Sequence, residues 1–182
     1  MLELLQNLDG SLLLWIQSVR FDLFDPLVCF YTTLGNTGML WIVVSVLLLF
    51  FRKTRKAGVL GLAALLLGFI CTNLTIKPLV ERARPWLTLE SLTPLVNEKD
   101  PHSFPSGHST SAFAAGVAWA LCAPKMWMRV LAVGAAACMA LSRLYVGVHY
   151  PSDVLCGSLI GAACGWVAWK VWNQREDALN KR

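Results

Sequence analysis

The chain has 182 residues, of which 56% are hydrophobic and 15% are charged, and its mean hydropathy is +0.55. Soluble domains carry about 25% charged residues, so this composition indicates an integral membrane protein formed by one domain over residues 1–182. It excludes a disordered tail, a disulfide-built secreted domain and a conventional nucleic-acid binder, despite a net charge of +5 and an isoelectric point near 9.0. Six cysteines lie in or beside apolar stretches without metal-ligand spacing, and we expect free thiols.

The elements predicted along the chain are all helices. Residues 1–22 mix apolar side chains with Glu3, Asp9 and Arg20, which is typical of an amphipathic helix on the membrane surface. The Asp25-Pro26 pair is predicted to start a short helix that runs to about Leu34 and is followed by a Gly35-Asn36 turn. Residues 23–38 add a sixth membrane span if they cross the bilayer. Five apolar stretches are predicted to cross the bilayer: residues 39–51, 57–76, 109–123, 127–142 and 153–172. The prediction is an all-α integral membrane protein.

Lysine and arginine are unevenly divided between the two ends of the predicted spans. One side carries ten of them: Arg52, Lys53, Arg55, Lys56, Lys125, Arg129, Lys170, Arg175, Lys181 and Arg182. The other side carries Lys77, Arg82, Arg84, Lys99 and Arg143. Because cytoplasmic loops carry the excess of basic residues, we expect a multi-pass protein of the inner (cytoplasmic) membrane. Its 77–105 loop then faces the periplasm or the extracellular side.

Three glycines form a GxxxGxxxG row on the last predicted span: Gly157, Gly161 and Gly165. Such a row lets a neighbouring helix approach closely. The sequence indicates packing within one chain and leaves a homodimer open as the alternative.

Six ionisable residues fall near the outer ends of the predicted spans: Lys77, Arg84, His108, Arg143, His149 and Asp153. Singly, each has an ordinary explanation, such as a lysine that reaches lipid head groups or an arginine paired with an aspartate. Together, three cations and two imidazoles at one membrane depth suit a phosphoryl group, whose charge is spread over several oxygens in the transition state. The pattern predicts a site that binds and cleaves a phosphate ester.

The two histidines allow a division of labour between nucleophile and general acid. Asp153 follows His149 by four residues, and Pro151 is predicted to open the helix between them. The carboxylate can then fix the tautomer of the His149 ring, as the third group of a catalytic triad does. We therefore predict His149 as the nucleophile and His108 as the general acid. Ser106 and Gly107 precede His108 in a turn that presents backbone N–H groups to an anion at a helix N-terminus.

Three motifs stand in order along the chain: KPLVERARP at 77–85, PSGH at 105–108 and SRLYVGVHYPSD at 142–153. Together they resemble the signature of the type 2 phosphatidic acid phosphatase superfamily, which includes bacterial lipid phosphatases and vanadium haloperoxidases. The helix pattern around them is similar to that of the small bacterial membrane members, over most of the chain beyond the first 35 residues.

The resemblance implies a six-helix transmembrane bundle, here with the amphipathic N-terminal segment added, and a phosphohistidine intermediate on His149. It implies a general acid at His108 and no requirement for a metal or another cofactor. The phosphate-binding positions that it implies are Lys77, Arg84, Ser106, Gly107 and Arg143. His102 lies outside the signature, and we expect it to be a loop residue.

A site at the outer leaflet fits a lipid phosphate whose tail stays in the bilayer. We expect undecaprenyl diphosphate as the substrate, with phosphatidylglycerophosphate or phosphatidic acid as the alternative. A non-catalytic lipid-phosphate transporter with the same cations is the competing class. Residues 86–103 carry Trp86 and several leucines among polar residues, and they form either a lid at the interface or a solvated loop.

Overall fold

The computed structural model describes residues 2–181, and the side chains of residues 6–181. Met1 and Arg182, which belong to the predicted domain range, lie outside the described residues. Within the described part the fold is all-helical, with one isolated antiparallel bridge between Ala83 and His102, which confirms the predicted class. The helices are α1 (Leu2–Ser18), α2 (Asp25–Leu34), α3 (Met39–Leu49), α4 (Arg55–Val80), α5 (Gly107–Cys122), α6 (Met126–Tyr145) and α7 (Pro151–Asn180).

Three helices are long and apolar enough to cross a membrane, namely α4, α6 and α7. The helices α2 and α3 are long and apolar enough to cross only when they are taken together, and they meet at a bend of 50°. The 10 residues of α2 rise about 15 Å, which is half the thickness of a bilayer core, so α2 does not cross alone. The described residues therefore contain three clear candidate spans, or four with the bent pair, and the count of six is not confirmed.

The helix α5 lies at the centre of the bundle and packs against α4, α6 and α7. Its buried positions are mostly alanines, of which Ala112, Ala114, Ala115 and Ala118 are fully buried. Small side chains let neighbouring helices approach closely, which is how membrane helices gain packing contacts without a hydrophobic driving force. Large apolar residues point outward instead, for example Phe50 and Leu79, as expected of surfaces that face lipid.

The glycine row of α7 packs against α5 within the chain, as the sequence indicated. A Cβ atom added at Gly157 would lie 2.5 Å from the carbonyl oxygen of Ser106, and one at Gly165 would lie 2.7 Å from that of Ala114. A Cβ at Gly161 would overlap the carbonyl oxygen of Thr110. These contacts are with the α5 backbone, so side chains larger than hydrogen would force the two helices apart.

We expect Gly161→Ala to lower the thermal stability of the purified protein by about 1–3 kcal/mol, because overpacking against a backbone cannot be relieved by a rotamer change. The matched control is Gly134→Ala on α6, where an added Cβ has no atom within 4 Å. There, alanine should leave the melting temperature unchanged or raise it, since alanine favours a helix over glycine. Equal melting temperatures for the two variants would show that the close α5–α7 contact is wrong.

The helix α1 packs on the segment between α4 and α5. Leu13 is fully buried and forms a cluster with Leu92 and Tyr150. The opposite face of α1 exposes Leu8, Leu12 and Trp15, which fits the expected amphipathic helix at a membrane surface. This packing brings the polar face of α1, including the buried Asp9, close to the start of α7.

Candidate active site

The predicted site residues meet at one end of the helical bundle. Lys77 lies near the end of α4, Arg143 near the end of α6, and Asp153 in the first turn of α7. Arg84 follows α4, and His149 lies in the link between α6 and α7. Arg84, Arg143, His149 and Asp153 are each at most 2% exposed. Such burial of four ionisable groups is costly unless they pair with one another or bind a ligand.

His149 is held between Arg84 and Asp153. Its Nε2 atom lies 3.0 Å from Nη1 of Arg84, and its Nδ1 atom lies 3.6 Å from Oδ2 of Asp153. A guanidinium only donates hydrogen bonds, so Nε2 is the acceptor and carries a lone pair. The proton of the neutral ring is then on Nδ1, which faces the carboxylate at slightly more than hydrogen-bond distance. In this tautomer the ring nitrogen that carries the lone pair, Nε2, faces Arg84.

Burial lowers the pKa of His149 well below its ordinary value, and the nearby charges of Arg84, Arg143 and Lys77 lower it further. The imidazole is therefore neutral at neutral pH, because both causes disfavour its protonated form. A neutral ring is the form that can act as a nucleophile.

Three cations surround this ring, and we call Lys77, Arg84 and Arg143 the cationic cradle. Two carboxylates of the 81–106 segment occupy it. Glu98 bridges the two arginines, with Oε2 at 3.0 Å from Nη2 of Arg84 and Oε1 at 3.2 Å from Nη2 of Arg143. Asp100 accepts a hydrogen bond of 2.7 Å from Nζ of Lys77. Carboxylate oxygens thus fill the anion-binding positions of the cradle.

Asp100 is ionised in this arrangement. Burial raises the pKa of its carboxyl, but hydrogen bonds from Lys77 and from the backbone N–H of His102, together with the charge of Arg84, lower it overall. His102 thus contributes its backbone N–H, at 3.0 Å from Oδ1 of Asp100. Sequence reasoning missed both acidic residues, since nothing in the loop's residue spacing shows which acids turn inward.

Arg143, one of the three cations of the cradle, has N–H groups that form no hydrogen bond with the described residues. Its Nη1 donates to Oγ1 of Thr32 at 2.7 Å, which anchors the guanidinium to α2. Nε and Nη2 are buried and have no hydrogen-bond partner among the described residues; the Nη2 contact with Glu98 is an ion pair without hydrogen-bond geometry. Buried donors without partners are costly, and an anion with several oxygens would satisfy them.

The PSGH segment begins α5 beside the cradle. Ser106 is the N-cap, since its Oγ accepts from the backbone N–H of Ser109, and its own N–H donates to the carbonyl of Asp153 at 3.1 Å. The first contact caps α5, and the second ties the start of α5 to α7. The N–H of Thr110 is bonded to the carbonyl of Ser106, which leaves those of Gly107 and His108 in the first turn for an anion.

His108 lies in the first turn of α5, two residues after Ser106, whose backbone N–H is bonded to Asp153. Its Nε2 atom is 3.0 Å from Oδ1 of Asn36, in the turn between α2 and α3. An amide oxygen only accepts, so Nε2 of His108 carries a proton. Gly35 allows this approach, because a Cβ there would lie 2.8 Å from the His108 ring. The sequence identified the Gly35-Asn36 turn but not its contact with the histidine.

The 81–106 segment covers the site as a folded element. Leu92 is buried against α1, and the backbone N–H of Leu95 donates to the carbonyl of Val146. A cavity of about 260 Å³ adjoins the cradle through Glu98 and opens to the surface. Its lining consists of Trp86, Pro94, Leu95, Val96, Asn97 and Glu98.

All six cysteines are free thiols, as the sequence predicted. Within residues 6–181, whose side chains the structure describes, no group of three or more His, Cys, Asp or Glu side chains has an arrangement that could hold a metal ion.

Comparison with known proteins relates most of the chain to one family. A model of the PAP2 superfamily matches residues 56–177, which is more than half of the sequence. The undecaprenyl-diphosphatase of Sulfolobus acidocaldarius is 33% identical over 129 residues, which cover 71% of this chain and 60% of that protein. The lipid A 4'-phosphatase of Bacteroides thetaiotaomicron is 27% identical over 178 residues, covering 92% and 78%. The chain thus spans about 60% of the length of the first relative.

The fold is similar to that of a solved membrane protein. The crystal structure of a PAP2-type phosphatidylglycerolphosphate phosphatase from Bacillus subtilis superposes with a TM-score of 0.77 at 27% identity. The superposition covers 93% of this chain and 86% of that structure. The similarity therefore includes nearly the whole chain.

Proposed function

The chain belongs to the PAP2 superfamily, and from this premise we propose that it is a membrane lipid phosphatase that works through a phosphohistidine on His149. The observation that carries the proposal is the placement of the Nε2 lone pair of His149, which accepts from Arg84, beside three cations at a buried site. A nucleophile next to charges that can bind phosphoryl oxygens is what phosphoryl transfer needs.

In the first step Nε2 of His149 attacks phosphorus while the bond from phosphorus to the leaving oxygen breaks. The arginine forks of Arg84 and Arg143 turn to the phosphoryl oxygens, which frees the Nε2 lone pair from its contact with Arg84. His108 acts as an imidazolium, a form that the negative charge of the bound phosphate favours, and it gives a proton to the leaving oxygen and becomes neutral. The carboxylate of Asp153, near Nδ1–H, stabilises the positive charge that develops on the ring.

In the second step water attacks the phosphohistidine and releases inorganic phosphate. His108, which lost its proton in the first step, takes one from this water, and His149 becomes a neutral leaving group. Atoms and charges balance over the two steps, since one water is consumed and no electron is transferred. The proposed chemistry uses the chain's own side chains and requires no metal.

A binding protein would need the cations but not this pair of histidines. The neutral His149, oriented between Arg84 and Asp153, supplies a nucleophile. His108, at the start of α5, supplies a second imidazole that can act as an acid once the bound phosphate favours its protonated form. This pairing favours an enzyme over a non-catalytic lipid-phosphate transporter.

We propose undecaprenyl diphosphate as the substrate, with undecaprenyl phosphate and inorganic phosphate as the products. The relative from Sulfolobus acidocaldarius is named an undecaprenyl-diphosphatase, and the apolar outer surface of the bundle suits a substrate whose long tail stays in lipid. The names of the other two relatives point to phosphatidylglycerolphosphate and to a phosphate of lipid A as alternative head groups. A phosphatase of broad specificity accommodates all three, because the cradle binds phosphate rather than the lipid.

The proposed site opens on the outer face of the inner membrane. Support comes from the distribution of basic residues, since ten lysines and arginines collect at the opposite ends of the helices. A lipid phosphate in the outer leaflet can then reach the cradle while its tail remains in the bilayer.

The test of the proposed function is phosphate release by the purified protein in detergent from each of four lipids: undecaprenyl diphosphate, phosphatidylglycerophosphate, phosphatidic acid and a lipid A phosphate. We expect turnover that is fastest with undecaprenyl diphosphate and unchanged by EDTA. Binding of these lipids without turnover would instead support a transporter. A clear loss of activity in EDTA would contradict the metal-independent chemistry.

Glu98 should compete with anions for the cradle, because its carboxylate already bridges Arg84 and Arg143. We expect Glu98→Gln to lower the inhibition constants of inorganic phosphate and vanadate by about tenfold, which corresponds to about 1.4 kcal/mol. The matched control is Glu90→Gln, an exposed residue of the same segment, which should leave both constants unchanged. Weaker inhibition of the Glu98 variant would mean that Glu98 assists anion binding rather than opposing it.

A further inference from the structure

We propose that Arg82, held by Asp9 of the N-terminal helix, is a positioning residue that orients the Asp153 carboxylate toward His149. This inference rests on the proposed function and deepens it. Arg82 lies between the two basic residues of the first motif, Lys77 and Arg84, but its side chain turns away from the cradle to the far side of Asp153. It is therefore not a phosphate-binding residue.

The two carboxylate oxygens of Asp153 have different partners: Oδ1 contacts Arg82, and Oδ2 faces His149. Oδ1 accepts a hydrogen bond of 2.7 Å from Nη1 of Arg82. Oδ2 accepts one of 2.9 Å from the backbone N–H of Tyr150 and lies 3.6 Å from Nδ1 of His149. The Arg82 contact on Oδ1 fixes the plane of the carboxylate, and Oδ2 is thereby directed at the histidine.

Burial makes this contact important. Asp153 is fully buried, and a buried carboxylate without a cationic partner is unfavourable by several kcal/mol. Arg82 is the one cation that forms an ion pair with Asp153 among the described residues. It keeps the carboxylate charged beside His149, where the negative charge is needed when the ring becomes positive.

Asp9 in turn holds Arg82. Its Oδ2 lies 2.8 Å from Nη2 of Arg82, and its Oδ1 accepts a hydrogen bond of 3.0 Å from the backbone N–H of Ser152. The Ser152 hydroxyl donates to Asp9 as well, and Nη1 of Arg82 is 2.7 Å from that hydroxyl. The guanidinium also stacks on the Tyr150 ring at 3.9 Å. The chain Asp9–Arg82–Asp153 thus links α1 to the reacting histidine.

A residue that acts through Asp153 has a signature that a merely structural residue lacks. Once Asp153 is neutral, Arg82 has no carboxylate to orient, so its loss should no longer affect turnover. A residue that only stabilises the fold would lower activity by the same factor in both backgrounds. The double-mutant cycle on kcat therefore separates the two roles.

The experiment measures kcat, KM and melting temperature for wild type, Arg82→Gln, Asp153→Asn and the double variant, with undecaprenyl diphosphate and with phosphatidic acid. We expect Arg82→Gln to lower kcat by about 10- to 100-fold and to change KM by less than about threefold. A misplaced Asp153 carboxylate should slow the chemical step at His149 without weakening substrate binding. In the Asp153→Asn background the same change should alter kcat less than about twofold. The matched control is Arg52→Gln, because Arg52 is exposed and lies in the link between α3 and α4.

Two more variants keep the test decisive if Arg82→Gln folds poorly. Arg82→Lys preserves the positive charge and should recover most of the lost kcat, whereas Asp9→Asn should lower kcat by an intermediate factor. An equal loss of kcat in both Asp153 backgrounds, or a wild-type kcat for Arg82→Gln, would overturn the inference. If His149→Ala also has wild-type activity, the proposed function fails; if His149→Ala is inactive while Arg82→Gln is normal, only the positioning role fails.

Discussion

His149→Ala should lower kcat for phosphate release by about 10⁴-fold or more, because removal of a covalent nucleophile leaves only binding and electrostatic stabilisation. The fold should persist, since the ring contacts Arg84 and Asp153 but anchors no helix directly. The measurement is the initial rate of phosphate release with undecaprenyl diphosphate in detergent, together with the melting temperature.

The control for this variant is His102→Ala. His102 contributes its backbone N–H to Asp100, which alanine retains, so its kcat should stay within about threefold of wild type. Wild-type turnover by the His149 variant would show that His149 is not the nucleophile. Equal losses in the two histidine variants would point to a general disturbance of the site.

Asp153→Asn should slow turnover by about two to four orders of magnitude while the protein keeps its fold, by analogy with triads that lose the orienting carboxylate. The amide has the same shape but no charge, so it cannot stabilise the imidazolium that forms on His149. It also leaves Arg82 without its carboxylate partner at Oδ1. The rate should be measured with the melting temperature, so that lost stability is not mistaken for lost catalysis.

Asp22→Asn is the matched control, because Asp22 is exposed near the end of α1 and should have a wild-type kcat. An Asp153 variant within about tenfold of wild type would contradict the orienting role. The same result would also weaken the case for Arg82, since Arg82 is inferred to act only through this carboxylate.

The helices α4, α6 and α7 were predictable because each is a long apolar run bounded by charged residues, and the predicted ranges fall inside the observed ones. The end of α2 at the Gly35-Asn36 turn was also predictable, but the bend that follows it was not. The sequence left open whether residues 23–38 form a sixth span, and in the structure α2 and α3 are two arms of one bent pair. The bend lies at Thr37 and Gly38, where φ is 53° and 73°. A hydropathy pattern does not report such backbone angles.

The site was predictable as far as its motifs extend. The spacing of Lys77, Arg84, His108, Arg143 and His149 along the chain indicated one membrane depth, and the structure brings these residues together. The partners of these residues were not predictable, because they depend on tertiary packing. Asp9 and Arg82 are 73 positions apart, and no periodicity connects them. Glu98 and Asp100 lie in a segment without helical or strand periodicity, so their inward direction appears only in the fold.

The most direct test of the account is to trap the covalent intermediate. Wild-type protein mixed rapidly with undecaprenyl diphosphate labelled at its terminal phosphorus and then quenched in alkali should carry label on one peptide, the one that contains His149. The label should be lost in acid, as expected of a phosphorus–nitrogen bond, and it should be absent from His149→Ala. Full turnover without any labelled protein, or label on a peptide that lacks His149, would contradict the central claim.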